Sequence, residues 1–258
     1  MMSKDILRQI TVVIALIGTL AINFLANALP LNGQTSADIA NRLPIYFVPA
    51  NYVFSIWGVI YLFLMGYAVY QGRSSQRENP RLRRIGYLFV LSCFANSAWL
   101  VLFHYEYFPL TMIAMVILLI TLIAIYLRLD IGKAQVSRAE TWLTNIPFSV
   151  YLGWITVATI ANASYVLYDA QWDGFGLDGA IWAVIMLLIA AAVTLTIIVT
   201  RRDIAYTAVI VWALVGIVIK QSATPLVAVT AGLMTAAVIA AALIFTLGRR
   251  TPRFRYLA

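Results

Sequence analysis

Apolar residues in this chain come in long unbroken runs and do not alternate with polar ones. A transmembrane strand would alternate over about ten residues, whereas a helix that crosses a bilayer needs about 20 apolar residues in succession. Eight runs meet or approach that length: Ile10–Leu29, Tyr52–Tyr70, Ile85–Phe103, Leu110–Leu127, Trp142–Leu167, Ala180–Thr200, Ile204–Ile219 and Leu226–Leu247. The seventh is the shortest and the fifth the most polar. The pattern predicts an all-α fold, a polytopic membrane helix bundle of about eight transmembrane helices. Lys4 and Arg8 precede the first run as they would in a secretory signal, but its apolar stretch exceeds the roughly 7–15 residues of such a segment. It is read as a retained helix.

Composition agrees, with 63% hydrophobic and 11% charged residues, against about 45–50% and about 25% in a soluble domain. Secreted disulfide scaffolds, disordered tails and nucleic-acid-binding domains are excluded. The net charge of +8 takes its meaning from where the charges fall. The N-terminus, the C-terminus and the loops after the second, fourth and sixth spans hold 16 of the 18 basic residues, among them the cluster Arg81, Arg83 and Arg84. Only Arg42 and Lys220 fall on the other side. The positive-inside rule counts Lys and Arg, so both termini are expected in the cytoplasm and the chain in a plasma (inner) membrane. The basic loops are read as solvated topology signals, with anionic lipid binding by Arg81, Arg83 and Arg84 as the sharper alternative.

Several chemistries lack their residues. Cys93 is the only cysteine and His104 the only histidine, so no disulfide and no metal cage is expected. His104 is read as an interfacial residue, and Met65 and Cys93 as core filler. No Asp, Glu, Lys or Arg falls near the middle of a span, which argues against ion-coupled transport. No catalytic residues and no cofactor are assigned.

The spans do carry rings and amides at helical spacing. Phe54, Trp57, Tyr61 and Ala68 follow steps of three, four and seven; so do Asn96, Trp99 and Phe103, and again Tyr151, Trp154, Ala158, Asn162 and Tyr165. Residues three and four apart share a helix face. An amide in a bilayer is costly without a partner, so Asn96 and Asn162 are expected to point inward. Such stripes either line an apolar pocket or pack helices together. The long loop over residues 30–51, with Pro30, Gly33, Pro44 and Pro49, is either a lid or a connector. The last three spans are rich in small residues, notably Ala190 to Ala192 and Ala236 to Ala242, suited to helix packing or a homodimer contact.

The stretch from Val48-Pro49-Ala50-Asn51-Tyr52 through Phe54-Ser55-Ile56-Trp57-Gly58 to Tyr61, with Met65-Gly66, resembles the second-helix signature of the tryptophan-rich sensory protein (TspO/MBR) family, relatives of the mitochondrial translocator protein. Asn96, Trp99 and Phe103 resemble its NxxWxxxF pattern, and Tyr151, Trp154, Ala158 and Asn162 its YxxWxxxAxxxN pattern. The sequence departs at Ala50, which replaces the second proline, and at Tyr52, where the family has tryptophan. The family's sterol motif is missing: Asp169 follows Tyr168, and no basic residue comes before Arg201. The resemblance implies a five-helix bundle over residues 1–168, with the 30–51 loop capping a pocket, extended by three helices and a basic tail over residues 169–258. It also implies a sensor or carrier for a flat hydrophobic ligand such as a porphyrin or other tetrapyrrole, bound by Trp57, Tyr61, Asn96, Trp99, Tyr151, Trp154, Ala158 and Asn162, to which the neighbouring rings Tyr52, Phe54 and Phe103 are added as candidate ligand-binding residues. Partners are then a hydrophobic small molecule and membrane lipids, with no nucleic acid. A secondary transporter of a neutral solute and a membrane enzyme modifying a tetrapyrrole remain as alternatives.

Overall fold

A computed structural model describes residues 4–29 and 31–247. Pro30 and the tail arginines Arg249, Arg250, Arg253 and Arg255 lie outside the described residues. Ten helices follow in order: α1 (Lys4–Ala28), α2 (Ser36–Arg42), α3 (Ile56–Gly72), α4 (Pro80–His104), α5 (Phe108–Arg128), α6 (Arg138–Glu140), α7 (Ile146–Asp169), α8 (Gly179–Arg201), α9 (Ile204–Lys220) and α10 (Pro225–Leu247). There is no strand among the described residues. Seven helical segments are long and apolar enough to cross a membrane. The eighth expected span, α9, has 17 residues, the lower limit for crossing at about 1.5 Å per residue.

Local sequence sets the boundaries. Asn79 caps α4 by accepting from Arg81 N (2.9 Å), and Pro80 occupies the first turn, where no N–H is needed. Asp178 caps α8 through Ala180 N (2.7 Å). Arg202 ends α8 in the left-handed region, and Asp203 immediately caps α9 through Tyr206 N (3.1 Å), so the chain reverses within two residues. The fifth span carries Pro147 in the first turn of α7. Proline cannot donate to the carbonyl four residues back and its ring would collide with it. The helix widens into a π-turn at Thr141–Asn145, where Ile146 N–H reaches Thr141 O.

Helices α1, α3, α7, α5 and α4 close into a ring, each packed against the next, and α9 packs on the outside of α7. α8 and α10 complete a second layer with α9. The outer surface is apolar, with Ile14, Ile17, Phe94, Ile120, Val229 and Leu233 all exposed. A belt that apolar is a surface for lipid.

One end of the bundle gathers the basic residues, and ion pairs knit it together. Arg83 meets Asp5 (2.6 Å), Arg81 meets Glu140 (2.6 Å) and Arg201 meets Asp130 (2.6 Å). Arg8 departs from the expected solvated loop. It is buried at 4% exposure, donates to Arg77 O (2.9 Å), and lies over Gly86, where a Cβ would come within 2.8 Å of its stem. Met65 also departs from expectation: it is 43% exposed on the lipid-facing side of α3, while Cys93 is buried as core.

Candidate functional site

At the end opposite the basic cluster, the loop between α1 and α3 folds back over the ring. Thr35 and Asp38 form a reciprocal capping box that starts α2 (Asp38 N to Thr35 Oγ1 3.2 Å; Thr35 N to Asp38 Oδ2 2.9 Å). Ile39, Ile45 and Val48 pack with Phe103, Phe108 and Tyr165 from the helices below. Tyr165 Oη donates to Ile39 O (3.0 Å), Arg42 pairs with Glu106 (2.9 Å), and Arg42 also donates to Gln34. The Gln34 and Arg42 bonds hold the Glu106 carboxyl below the usual carboxylate range, and the Thr35 bonds do the same for Asp38. His104, the last residue of α4, is fully buried beneath the lid. Its Nδ1 lies 2.9 Å from Leu100 O and so carries the proton, which leaves Nε2 to accept from Ser36 Oγ at 3.5 Å. The polar ends of α2 and α4 find each other inside the lid, which draws the imidazole in.

The second layer holds this lid as well. Lys220 Nζ donates to Asn41 (2.8 Å), Gln221 to Tyr46 O (3.0 Å), and Ala50 N–H to Gly216 O (3.1 Å). Gly216 permits that approach, since a Cβ there would collide with Val53.

Under the lid lies a cavity of about 220 Å³. Three ring helices supply its aromatic wall. Trp57 stacks on Tyr61 (5.5 Å, 23°) and on Trp99 (6.4 Å, 27°), Trp99 stacks on Phe103 (5.2 Å, 16°), and Trp154 meets Trp57 edge-on (6.0 Å). These geometries are the ones the ring quadrupole favours. The void persists because α7 presents Ala158 and Ala161 between Trp154 and Tyr165, too small to meet rings already propped against one another.

Of the expected residues, Phe54, Trp57, Tyr61, Trp99, Phe103, Trp154, Ala158 and Asn162 line this cavity. Asn162 Oδ1 accepts from Trp99 Nε1 (3.0 Å) and Thr111 Oγ1 (3.2 Å), which fixes the indole plane. Asn96 and Tyr151 are buried behind the wall: Asn96 Oδ1 accepts from Asn23 Nδ2 (2.9 Å), and Tyr151 packs edge-on to Trp57. Tyr52 is not brought to the cavity; it is 40% exposed and packs edge-on to Trp212 of α9.

Sequence reasoning missed Asn23, whose Oδ1 accepts from Tyr61 Oη (2.5 Å) in the cavity wall. The signal was present, since an amide inside an apolar run demands a partner. It also missed the lid's own contribution, Ser36, Ala40, Val48 and Pro49. No charged side chain lines the cavity, and Trp154 Nε1 is buried there without a hydrogen-bond partner.

A second hollow of about 430 Å³ lies outside the ring, between the lid, α7 and α8, lined by Tyr46, Tyr168, Trp172, Trp182 and Met186 among others. One of its two indole donors is bonded, Trp182 Nε1 to Gly174 O (2.9 Å). Towards the basic end the ring is solid. Tyr67, Phe89 and Phe148 meet edge-to-face at 4.9–5.8 Å and fill its centre.

A family model described as TSPO-like protein matches residues 9–245, a stretch that includes α8, α9 and most of α10. No curated protein and no solved structure matches the chain.

Proposed function

The chain belongs to the TSPO-like family and is an integral multi-pass membrane protein, and from that premise we propose that it binds a flat, uncharged, mainly apolar small molecule in the cavity under the lid. The observation that carries this reading is a void under the lid walled by three indoles and free of charged side chains. Ring faces of Trp57 and Trp99 offer stacking surface, while Asn162 and Tyr61 supply polar contacts.

Size narrows the class. A cavity of roughly 150 Å³ takes up benzene, so about 220 Å³ suits one or two fused rings. A tetrapyrrole would require the lid to lift. The aromatic plug of Tyr67, Phe89 and Phe148 blocks a path along the ring axis, which favours a sensor or carrier over a transporter of neutral solutes. The basic end would face the cytoplasm, as the positive-inside rule requires.

Binding is tested with dansylamide and, separately, a porphyrin, added to the protein in nanodiscs and to empty nanodiscs. The readout is the blue shift and anisotropy of the added fluorophore, so loss of indoles does not distort it. Saturable binding of dansylamide is expected, weakened at least tenfold in the Trp57→Ala, Trp154→Ala double variant. Equal affinity in that variant would contradict the site.

A further inference from the structure

Two walls separate the cavity from the outside, and they differ in construction. The lid is fastened by bonds to three different helices and loops: Tyr165 to Ile39, Arg42 to Glu106, Lys220 to Asn41, and Ala50 to Gly216. The wall between α1 and α3 is one residue pair thick. Asn23 and Tyr61 line the cavity on its inner side, and the same two residues line a hollow on the outer, lipid-facing side, together with Leu20, Phe24 and Ala28. Phe24 at the rim of that hollow is 70% exposed.

The hydrogen bond from Tyr61 Oη to Asn23 Oδ1 (2.5 Å) spans this wall. α1 gives its main packing face to α4 and meets α3 less extensively. Gln9 Nε2 donates to Gln71 O (2.5 Å) and Gln71 Nε2 to Gln9 O (3.2 Å) at the basic end of this seam, which pins that end and leaves the Tyr61–Asn23 pair to close the lid end. Parting the pair takes the tyrosine donor from Asn23 Oδ1 but leaves the amide held through its nitrogen. When Tyr61 turns away, Asn23 Nδ2 keeps its bonds to Asn96 Oδ1 and Thr19 O, both 2.9 Å. The released tyrosine hydroxyl is then free to donate to an acceptor on the passing molecule. Neither the cavity nor the outer hollow carries an ionised side chain, so nothing along the route would hold a charged solute against the cost of leaving water.

We propose that the ligand enters sideways from the bilayer between α1 and α3, with the Tyr61–Asn23 hydrogen bond as the latch, and hence that it is a lipid-dissolved, uncharged molecule. This rests on the binding reading above and specifies the route and the class of compound.

The test measures rates as well as affinity, by stopped-flow mixing of dansylamide with the protein in vesicles. Ala28→Phe fills the outer hollow without touching the cavity. It should slow association and dissociation together by at least fivefold and leave Kd within twofold; Leu20→Phe is a second plug on the same hollow. Tyr61→Phe removes the latch and should speed both steps. Glu106→Gln, which loosens the lid alone, should leave both rates within twofold. Unchanged rates in both plug variants, or acceleration by Glu106→Gln alone, would overturn the lateral route while leaving the binding reading standing. Absence of dansylamide binding to the unaltered protein would overturn both.

Discussion

In the ring of α1, α3, α4, α5 and α7, neighbouring helices meet through indoles, tyrosines and amides, with Trp57, Trp99 and Asn162 holding one another at fixed angles. In the layer of α8, α9 and α10 they meet through Ala190, Ala191, Thr194, Ile198 and Val238, all nearly or fully buried, and the Thr194 hydroxyl folds back onto Ala190 O (2.7 Å). Lipid gives little hydrophobic drive for one helix to seek another. Small residues answer by letting backbones approach until no space remains. Large rings propped against one another cannot close up in that way. The ring therefore keeps a void at its lid end, and the layer serves as a scaffold whose α9 reaches across to fasten the lid.

The largest effect is expected where the two regions touch. Gly132, in the loop after α5, has φ +82°, and a Cβ there would collide with the Arg201 carbonyl at the end of α8. Gly132→Ala combines backbone strain with a clash against main chain and should cost about 3 kcal/mol or more. Thermal unfolding in detergent is the readout, and a wild-type midpoint would show that the layer does not bear on the ring at this contact.

Ala158→Leu sharpens the contrast from the other side by giving the ring the close packing of the layer. Filling the void should weaken dansylamide at least tenfold, or about 1.4 kcal/mol. Stability should change by less than about 1.5 kcal/mol, since the added methyl groups enter empty space. A stable variant with undiminished affinity would place the ligand elsewhere.

The smallest effect is that of pH on the lid. Glu106 and Asp38 have folded-state values below the usual carboxylate range. Their ties are therefore fully present above the unfolded values of about 4 and are lost as pH falls below that range through the lowered ones. Hydrogen exchange over residues 35–50 should be flat from pH 8 to 5, after correction for intrinsic rates, and should rise only in more acidic solution. A rise centred near neutrality would point to a different group.

The spans were legible because a bilayer demands about 20 apolar residues in succession, and each expected run coincides with a helix of the bundle. Asn96 and Asn162 were legible for the same reason, since an amide in hydrocarbon must turn inward. Asn23 escaped because no ring lies at helical spacing beside it to mark a face. The lid residues Val48 and Pro49 escaped because irregular backbone has no period to read, and Ser36 and Ala40 because α2, at seven residues, is too short to show one. Buried Arg8 and His104 depended on partners far along the chain, Arg77 and Ser36, which residue type alone does not disclose.

The most direct test of the central claim is a crystal structure of the protein soaked with 1-bromonaphthalene, a two-ring molecule whose bromine scatters anomalously. The account predicts an anomalous peak inside the ring, among Trp57, Trp99 and Trp154 and beneath the lid. Peaks confined to the hollow beside Trp172 and Trp182, or to the lipid-facing surface, would contradict it.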